Sequence, residues 1–286
     1  MKKLIVVLFA LLILVGCSEK GYSQISNGND VIFKGPNGDY TKGQLYETLK
    51  VASQASVETD ILDKIASNLN LDLSDIEKEA DDMLEMYKSM GYESYIQAYY
   101  GSEESFKQMY ISSGTKMKLA EVYVEENFDS LVNADKPVKM QMASFETEEA
   151  ASKVVEAVNN GSTFEMAIAE NGFEGECPAA VYIDSDSTPV DVKSYLNDTD
   201  KTGISTVITV TNSSSDNDGN ISSINTYYVL NVISKDVADF KEDYIAKRAS
   251  ATSEDVVKQY LFMNHDIKFY DQDIYEMMTS AYEVLQ

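Results

Sequence analysis

Few side chains in this chain of 286 residues could do acid–base, nucleophilic or metal chemistry. It has one histidine, His265, no tryptophan, and two cysteines, Cys17 and Cys177. A single imidazole nearly excludes a His-rich metal site, so no metal and no cofactor is expected. Cys177 is a candidate nucleophile by residue type. A reactive thiol needs a cationic neighbour, and none is near it in the sequence, so Cys177 reads first as a small, buried or half-buried thiol. His265 falls at a helix C-terminus, where it complements the helix dipole rather than performing chemistry.

Cys17 has a different context. "MKK" is a cationic n-region, "LIVVLFALLILV" a twelve-residue apolar h-region, and "LVGC" ends at Cys17. A spanning helix needs roughly 20 apolar residues, so residues 1–16 read as a signal peptide. Leu14-Val15-Gly16-Cys17 resembles the lipobox of bacterial lipoproteins. That resemblance implies a diacylglyceryl thioether on Cys17, which becomes the mature N-terminus. It places the protein at the cell membrane, lipid-anchored on the extracytoplasmic face. Two acyl chains anchor stably where one does so only marginally. With Cys17 lipidated, Cys177 is the one remaining thiol, so no intramolecular disulfide can form.

The formal net charge is −25, and loss of Lys2 and Lys3 with the signal peptide leaves −27. Such a charge opposes binding to nucleic acid or to an anionic bilayer, and leaves basic or apolar partners. An apolar content of 44% supports a sizeable core.

These residues must be positioned by two kinds of element. Residues 17–30 read as the lipidated cysteine and a polar, flexible tether. From 31 to 135 the chain opens with a short strand at Val31–Phe33 and a turn at Gly35-Pro36-Asn37-Gly38, then turns helical. Thr41 caps a helix, and Ile61, Leu62, Ile65 and Leu69 share a helical face. "SDIE" at 74–77 has the pattern of a capping box. Gly91 stops that helix. Ser102 caps a long helix to about Phe128, weakened near Ser112-Ser113-Gly114. At Lys136-Pro137 the period changes. Val138, Met140 and Met142 alternate as in a strand, Thr147 and Thr163 start helices, and a helical turn or two falls at 189–197. "GISTVITV" and "INTYYVLNVIS" are strands around a polar loop at 211–220. Residues 136–235 therefore form one α+β domain. Helices return in 236–286, with a strand-like "IKFY" at 267–270 before a last helix from Asp271.

Four stretches in this order, "NGDYTKGQLYETLK", "GSEESFKQMYISSGTKMKLAEVYVEEN", "VKMQMASFETEEAASKVVEAVNNGSTFEMAIAENG" and "SEDVVKQYLFMNHDIKFYDQDIYEMM", resemble the PrsA-type foldases. These are lipoproteins related to the SurA chaperones. The resemblance covers nearly all of residues 30–286. It implies an α+β fold: a mostly helical chaperone lobe built from the N- and C-terminal segments, with an inserted parvulin-type peptidyl-prolyl isomerase domain. It also implies unfolded exported proteins as partners.

Parvulins rotate an X-Pro bond by binding the twisted amide, with no covalent intermediate. The family uses two facing histidines, an apolar proline pocket and a nearby Cys or Asp. Here the histidine positions fall on Met142 and Tyr228, the pocket's usual Phe on Val190, and the Cys or Asp position lies near Cys177. A Met–Tyr pair cannot replace two imidazoles, so the resemblance implies an isomerase frame with weak or absent activity. Two other readings stay open: an active isomerase using non-histidine residues, and a structural or solute-binding lipoprotein. The helical segment also holds many Met and Tyr residues, among them Met83, Tyr87, Tyr95, Tyr99 and Met109. They read either as core or, for a subset, as an adaptable groove for unfolded clients.

Overall fold

The structure is a computed structural model that describes residues 26–35, 38–51, 53–184, 186–215 and 221–285. The expected signal peptide 1–16, Cys17 and the expected tether up to residue 25 lie outside the described residues. The chain divides into two units, residues 1–123 with 252–286, and residues 124–251.

The first unit opens with an antiparallel hairpin of β1 (Val31–Gly35) and β2 (Gly38–Thr41), where Phe33 stacks on Tyr40 at 4.9 Å. Thr41 and Gln44 then cap α1 (Lys42–Val51) reciprocally. The Thr41 N–H donates to Gln44 Oε1 at 2.8 Å, and Thr41 Oγ1 accepts from the Gln44 N–H at 3.3 Å. Helix α2 (Gln54–Asn68) buries Leu62, Ile65 and Ala66 along one stripe. Helix α3 (Ser74–Ser89) starts differently from the capping box that "SDIE" suggested. Leu73 is the N-cap, and Ser74 donates both its Oγ–H (2.7 Å) and its N–H (3.0 Å) to Asp72. An ionised carboxylate is the stronger acceptor and takes both donors.

Helix α4 (Glu93–Tyr100) ends on Gly101, whose φ of 77° suits a residue without a Cβ. Ser102 Oγ accepts from the Ser105 N–H at 3.0 Å at the start of α5 (Glu103–Glu126). The weakening expected near Gly114 is absent, for α5 runs unbroken. A Cβ at Gly114 would lie 2.5 Å from Ile76 Cγ2, so the glycine lets α3 and α5 approach closely.

In 252–286, α11 (Glu254–Asn264) is capped by Ser253 and α12 (Gln272–Ala281) by Asp271. The strand suggested by "IKFY" does not form. Its alternation has no partner strand among the described residues, and an isolated strand is not stable. The two ends of this unit are tied by charge. Lys258 Nζ meets Glu58 at 2.6 Å with both side chains buried, Lys50 pairs with Asp273, and Tyr46 donates to Asp271 at 3.0 Å.

The second unit takes in more than the block read from strand alternation. It begins with the end of α5 and α6 (Phe128–Asp135), and ends with a 3₁₀ turn (Val237–Phe240) and α10 (Lys241–Ala251). Between them lie β3 (Val138–Phe145), α7 (Glu148–Asn159), α8 (Phe164–Glu170), β4 (Ala180–Tyr182), α9 (Val190–Asp198), β5 (Gly203–Ile204), β6 (Ile208–Ser215) and β7 (Ile221–Ser234). The sheet is antiparallel in the order β4-β3-β7-β5, with β6 also paired to β7.

The expected polar loop is shorter than 211–220. Thr211–Ser215 continue β6, opposite Ile221–Asn225. Their hydroxyls and amides bond across the pair, Thr211 to Asn225 at 2.9 Å and Ser213 to Ser223 at 3.0 Å, which supports strand pairing in a polar sequence.

Both sheet faces are covered. Ala143, Phe145 and Val229 pack with Ala151, Val154, Phe164 and Ile168 of α7 and α8. On the other face Met140, Leu230, Val232, Ile208 and Val210 pack with Val192 of α9. Tyr244 donates to Asp135 Oδ2 at 2.9 Å, joining α10 to α6, and Arg248 Nε lies 2.8 Å from the same oxygen.

Candidate functional site

The strand register decides which residues of the central unit can meet. Met142 of β3 is opposite Leu230 of β7, and Ser144 is opposite Tyr228. Met142 and Tyr228 are thus diagonal neighbours on one face, both half-buried against the Met140–Leu230 cluster. The topology brings the two positions together, but they supply a thioether and a phenol. A thioether is a weak acceptor, and neither group is an imidazole able to switch between donor and acceptor near neutral pH.

Val190 does not join them. It is the first residue of α9 after Pro189 and is 80% exposed. The buried side chain of that helix is Val192.

Cys177 belongs to the other side of the sheet. It packs against the Ala143–Phe145 cluster, and its thiol donates to the backbone oxygen of Met142 at 3.3 Å. Burial pushes the thiol pKa up, and the Glu165 carboxylate adds to that push. A thiol so placed is a poor nucleophile at neutral pH.

Its neighbours form a polar knot that sequence reasoning missed. The buried Gln141 amide donates to Glu165 Oε1 at 2.5 Å and to the Cys177 carbonyl at 2.9 Å, and accepts from Asn231 at 2.8 Å. That amide pulls the Glu165 carboxyl below its usual range. The one available signal was a glutamine between Met140 and Met142, where an apolar residue would serve the α7–α8 face. With every partner supplied by the protein, the knot fixes β3, β7 and α8 and leaves no free polar atom on Gln141.

A cavity of about 390 Å³ lies between α6, the start of β3 and α9. Two lysines on its wall are already used: Lys193 bonds the Asp184 carbonyl, and Lys235 bonds the carbonyls of Leu196 and Thr199 at the end of α9. Among the described residues no cluster of three or more His, Cys, Asp or Glu could hold a metal ion. No described helix is long and apolar enough to cross a membrane.

In the helical unit the Met and Tyr set divides in two. Met83 and Tyr87 are half-buried against the core of Leu84, Ile96 and Phe106. Tyr95, Tyr99 and Met109 are exposed, at 40%, 74% and 42%. Met86, Met90, Tyr92 and Met117 are exposed too. Tyr92, Tyr95 and Tyr99 fall three and four apart and so share a helical stripe. Their rings run on from one another, Tyr99 to Tyr95 at 4.5 Å, Tyr95 to Tyr92 at 6.4 Å, Tyr92 to Tyr87 at 5.9 Å. Tyr87 then meets the fully buried Phe106 at 5.1 Å. The stripe is an aromatic platform whose inner end is fixed in the core and whose outer end faces solvent.

No known family profile matches the chain, and no curated protein matches it. Among solved structures it is similar to the foldase protein PrsA from Streptococcus pneumoniae, at 19% identity and a TM-score of 0.43, over 88% of this chain and 99% of that one. It is similar to the PrsA peptidylprolyl isomerase from Bacillus cereus at 14% identity and a TM-score of 0.44, over 90% and 99%. PrsA from Bacillus subtilis follows at 18% identity and a TM-score of 0.36, over 86% and 97%.

Proposed function

We propose that this chain is a lipid-anchored chaperone of the extracytoplasmic membrane face. It holds exported proteins while they are unfolded, and its central unit turns over X-Pro bonds weakly or not at all. The observation that carries the reading is the platform of Tyr92, Tyr95 and Tyr99, exposed at its outer end and braced by Phe106 at its inner end. Aromatic area with a polar tip suits many unrelated unfolded chains, because it needs no fixed partner geometry. Exposed methionines beside it add adaptable apolar contact. Anchoring rests on the lipobox at Cys17, and the extracytoplasmic location on the same motif.

Against isomerase activity stand the Met142–Tyr228 pair, the solvent-facing Val190, and Cys177 on the opposite sheet face. The thioether of Met142 and the phenol of Tyr228 do not supply the imidazole pair with which the family is expected to favour a twisted amide over the planar forms.

The test is aggregation of a chemically unfolded client, diluted into buffer with the full-length chain and followed by light scattering. The native chain suppresses scattering, and the Tyr95→Ser/Tyr99→Ser variant loses most of that suppression while its circular dichroism and urea midpoint stay unchanged. Undiminished suppression by a folded double variant would remove the platform from the function.

A further inference from the structure

The platform sits in an acidic stretch of its unit. Residues 74–110 carry nine carboxylates and three lysines, a net charge of −6. All nine acidic residues are exposed. The three lysines do not neutralise the stretch. Lys88 pairs with Glu103 at 3.1 Å and Lys107 with Asp81 at 2.6 Å. Asp82 and Met86 of α3 and its C-cap residue Met90 recur every four residues and so line one exposed stripe. On α4, Glu93 directly follows Tyr92 at the start of the tyrosine stripe. Carboxylates and exposed apolar side chains are thus interleaved over a surface that buries neither.

We infer that this surface selects cationic segments: stretches of unfolded chain in which Lys or Arg alternates with apolar or aromatic residues. The inference rests on the chaperone reading and adds the client chemistry to it. Two effects point the same way. The negative field raises the local concentration of positively charged chain and repels acidic chain. The tyrosine faces then accept Lys or Arg cations directly, an attraction that a neutral or acidic segment cannot use.

The experiment uses the full-length chain in nanodiscs of zwitterionic lipid and three labelled, unstructured peptides. These share their aromatic and aliphatic residues and differ only in carrying Lys/Arg, Ser/Gln or Asp/Glu between them. Fluorescence anisotropy at low ionic strength is expected to show the cationic peptide binding about tenfold tighter than the neutral one. The acidic peptide should bind weakest, and the gap should shrink in 0.5 M salt, a concentration at which exposed charges are screened beyond roughly 4 Å. A charge-neutral variant, Asp82→Asn/Glu93→Gln/Glu104→Gln, should narrow the gap and leave the neutral peptide's affinity as it was. The Tyr95→Ser/Tyr99→Ser variant should weaken all three peptides. Equal affinity for the three, with the neutral peptide still dependent on the tyrosines, would overturn the charge selection and leave the chaperone reading standing. Failure of every peptide to bind would overturn both.

Discussion

The thiol of Cys177 donates to the backbone oxygen of Met142, but the two side chains serve opposite faces of the central sheet. Met142 packs toward α9 with Tyr228, and Cys177 packs toward α7 and α8. Three positions that would have to converge on one prolyl bond are thereby divided by a layer of backbone. Cys177 is held by its packing against the Ala143–Phe145 cluster and by its bond to β3.

That placement fixes its reactivity. Burial raises its pKa, with Glu165 adding to the effect, so the thiolate fraction at mildly alkaline pH is below that of a free cysteine. Alkylation of Cys177, read by peptide mass, should be markedly slower in the folded chain than in urea. Equal rates would mean an open, activated thiol and would return Cys177 to the list of catalytic candidates.

The buried Glu58–Lys258 pair should behave as a stability element rather than a surface contact. Glu58→Gln leaves the Lys258 cation buried, with the exposed Glu254 as its remaining carboxylate among the described residues, and should cost about 3 kcal/mol in urea unfolding. A joint Glu58→Leu/Lys258→Met replacement should cost far less, because no unpaired charge remains. A Glu58→Gln variant as stable as the parent would show that the pair is solvated.

The same pair sets a pH dependence. Burial alone would raise the Glu58 pKa, but the bonds from Lys258 and Gln54 outweigh it, and the carboxyl titrates below its usual range. Its contribution is therefore fully present above about pH 4.5 and is lost as pH falls through the lower folded value. Lys258 is raised by Glu58 and Glu254 against its own desolvation, so its contribution holds through neutral pH and is lost only at strongly alkaline pH. Urea midpoints should stay flat in this respect from pH 6 to 8 and fall below pH 4. In Glu58→Gln the acid fall should be shallower.

Gly114→Ala should destabilise the helical unit although alanine is the better helix former. The added Cβ would meet Ile76 at 2.5 Å, and overpacking costs about 1–3 kcal/mol against about 1 gained in helix propensity. A second change, Ile76→Ala, opens the space and should restore part of the loss. An unaltered Tm in the single variant would show that Ile76 turns away freely.

Much of the fold was legible because its signals are local. Thr147, Thr163, Ser253 and Asp271 each cap the helix that follows, as their types and positions suggest. The alternation of Val138, Met140 and Met142 marks one face of β3. What failed depended on distant partners. Ile267–Tyr270 has strand composition but no strand beside it among the described residues, and Gly114, whose type suggests a weak point in α5, is where Ile76 of α3 leaves no room for a Cβ. Asp72, two residues upstream, outbid the capping box at Ser74. Of the candidate site, the missing imidazoles could be read directly. The side of the sheet on which Cys177 falls could not, since the approach of the 173–180 segment to β3 sets it. The division of the Met and Tyr residues into braced and exposed sets likewise needed the packing around Phe106.

The measurement that bears most directly on the separation of holding chains from turning prolyl bonds is two-dimensional NMR exchange. It would use a short X-Pro peptide with the full-length chain in nanodiscs. Exchange between cis and trans peaks at the uncatalysed rate, with the same preparation suppressing client aggregation, is the predicted result. Exchange cross-peaks that require the protein, and that vanish in Tyr228→Phe or Cys177→Ala, would contradict it and assign the central unit an isomerase site without imidazole.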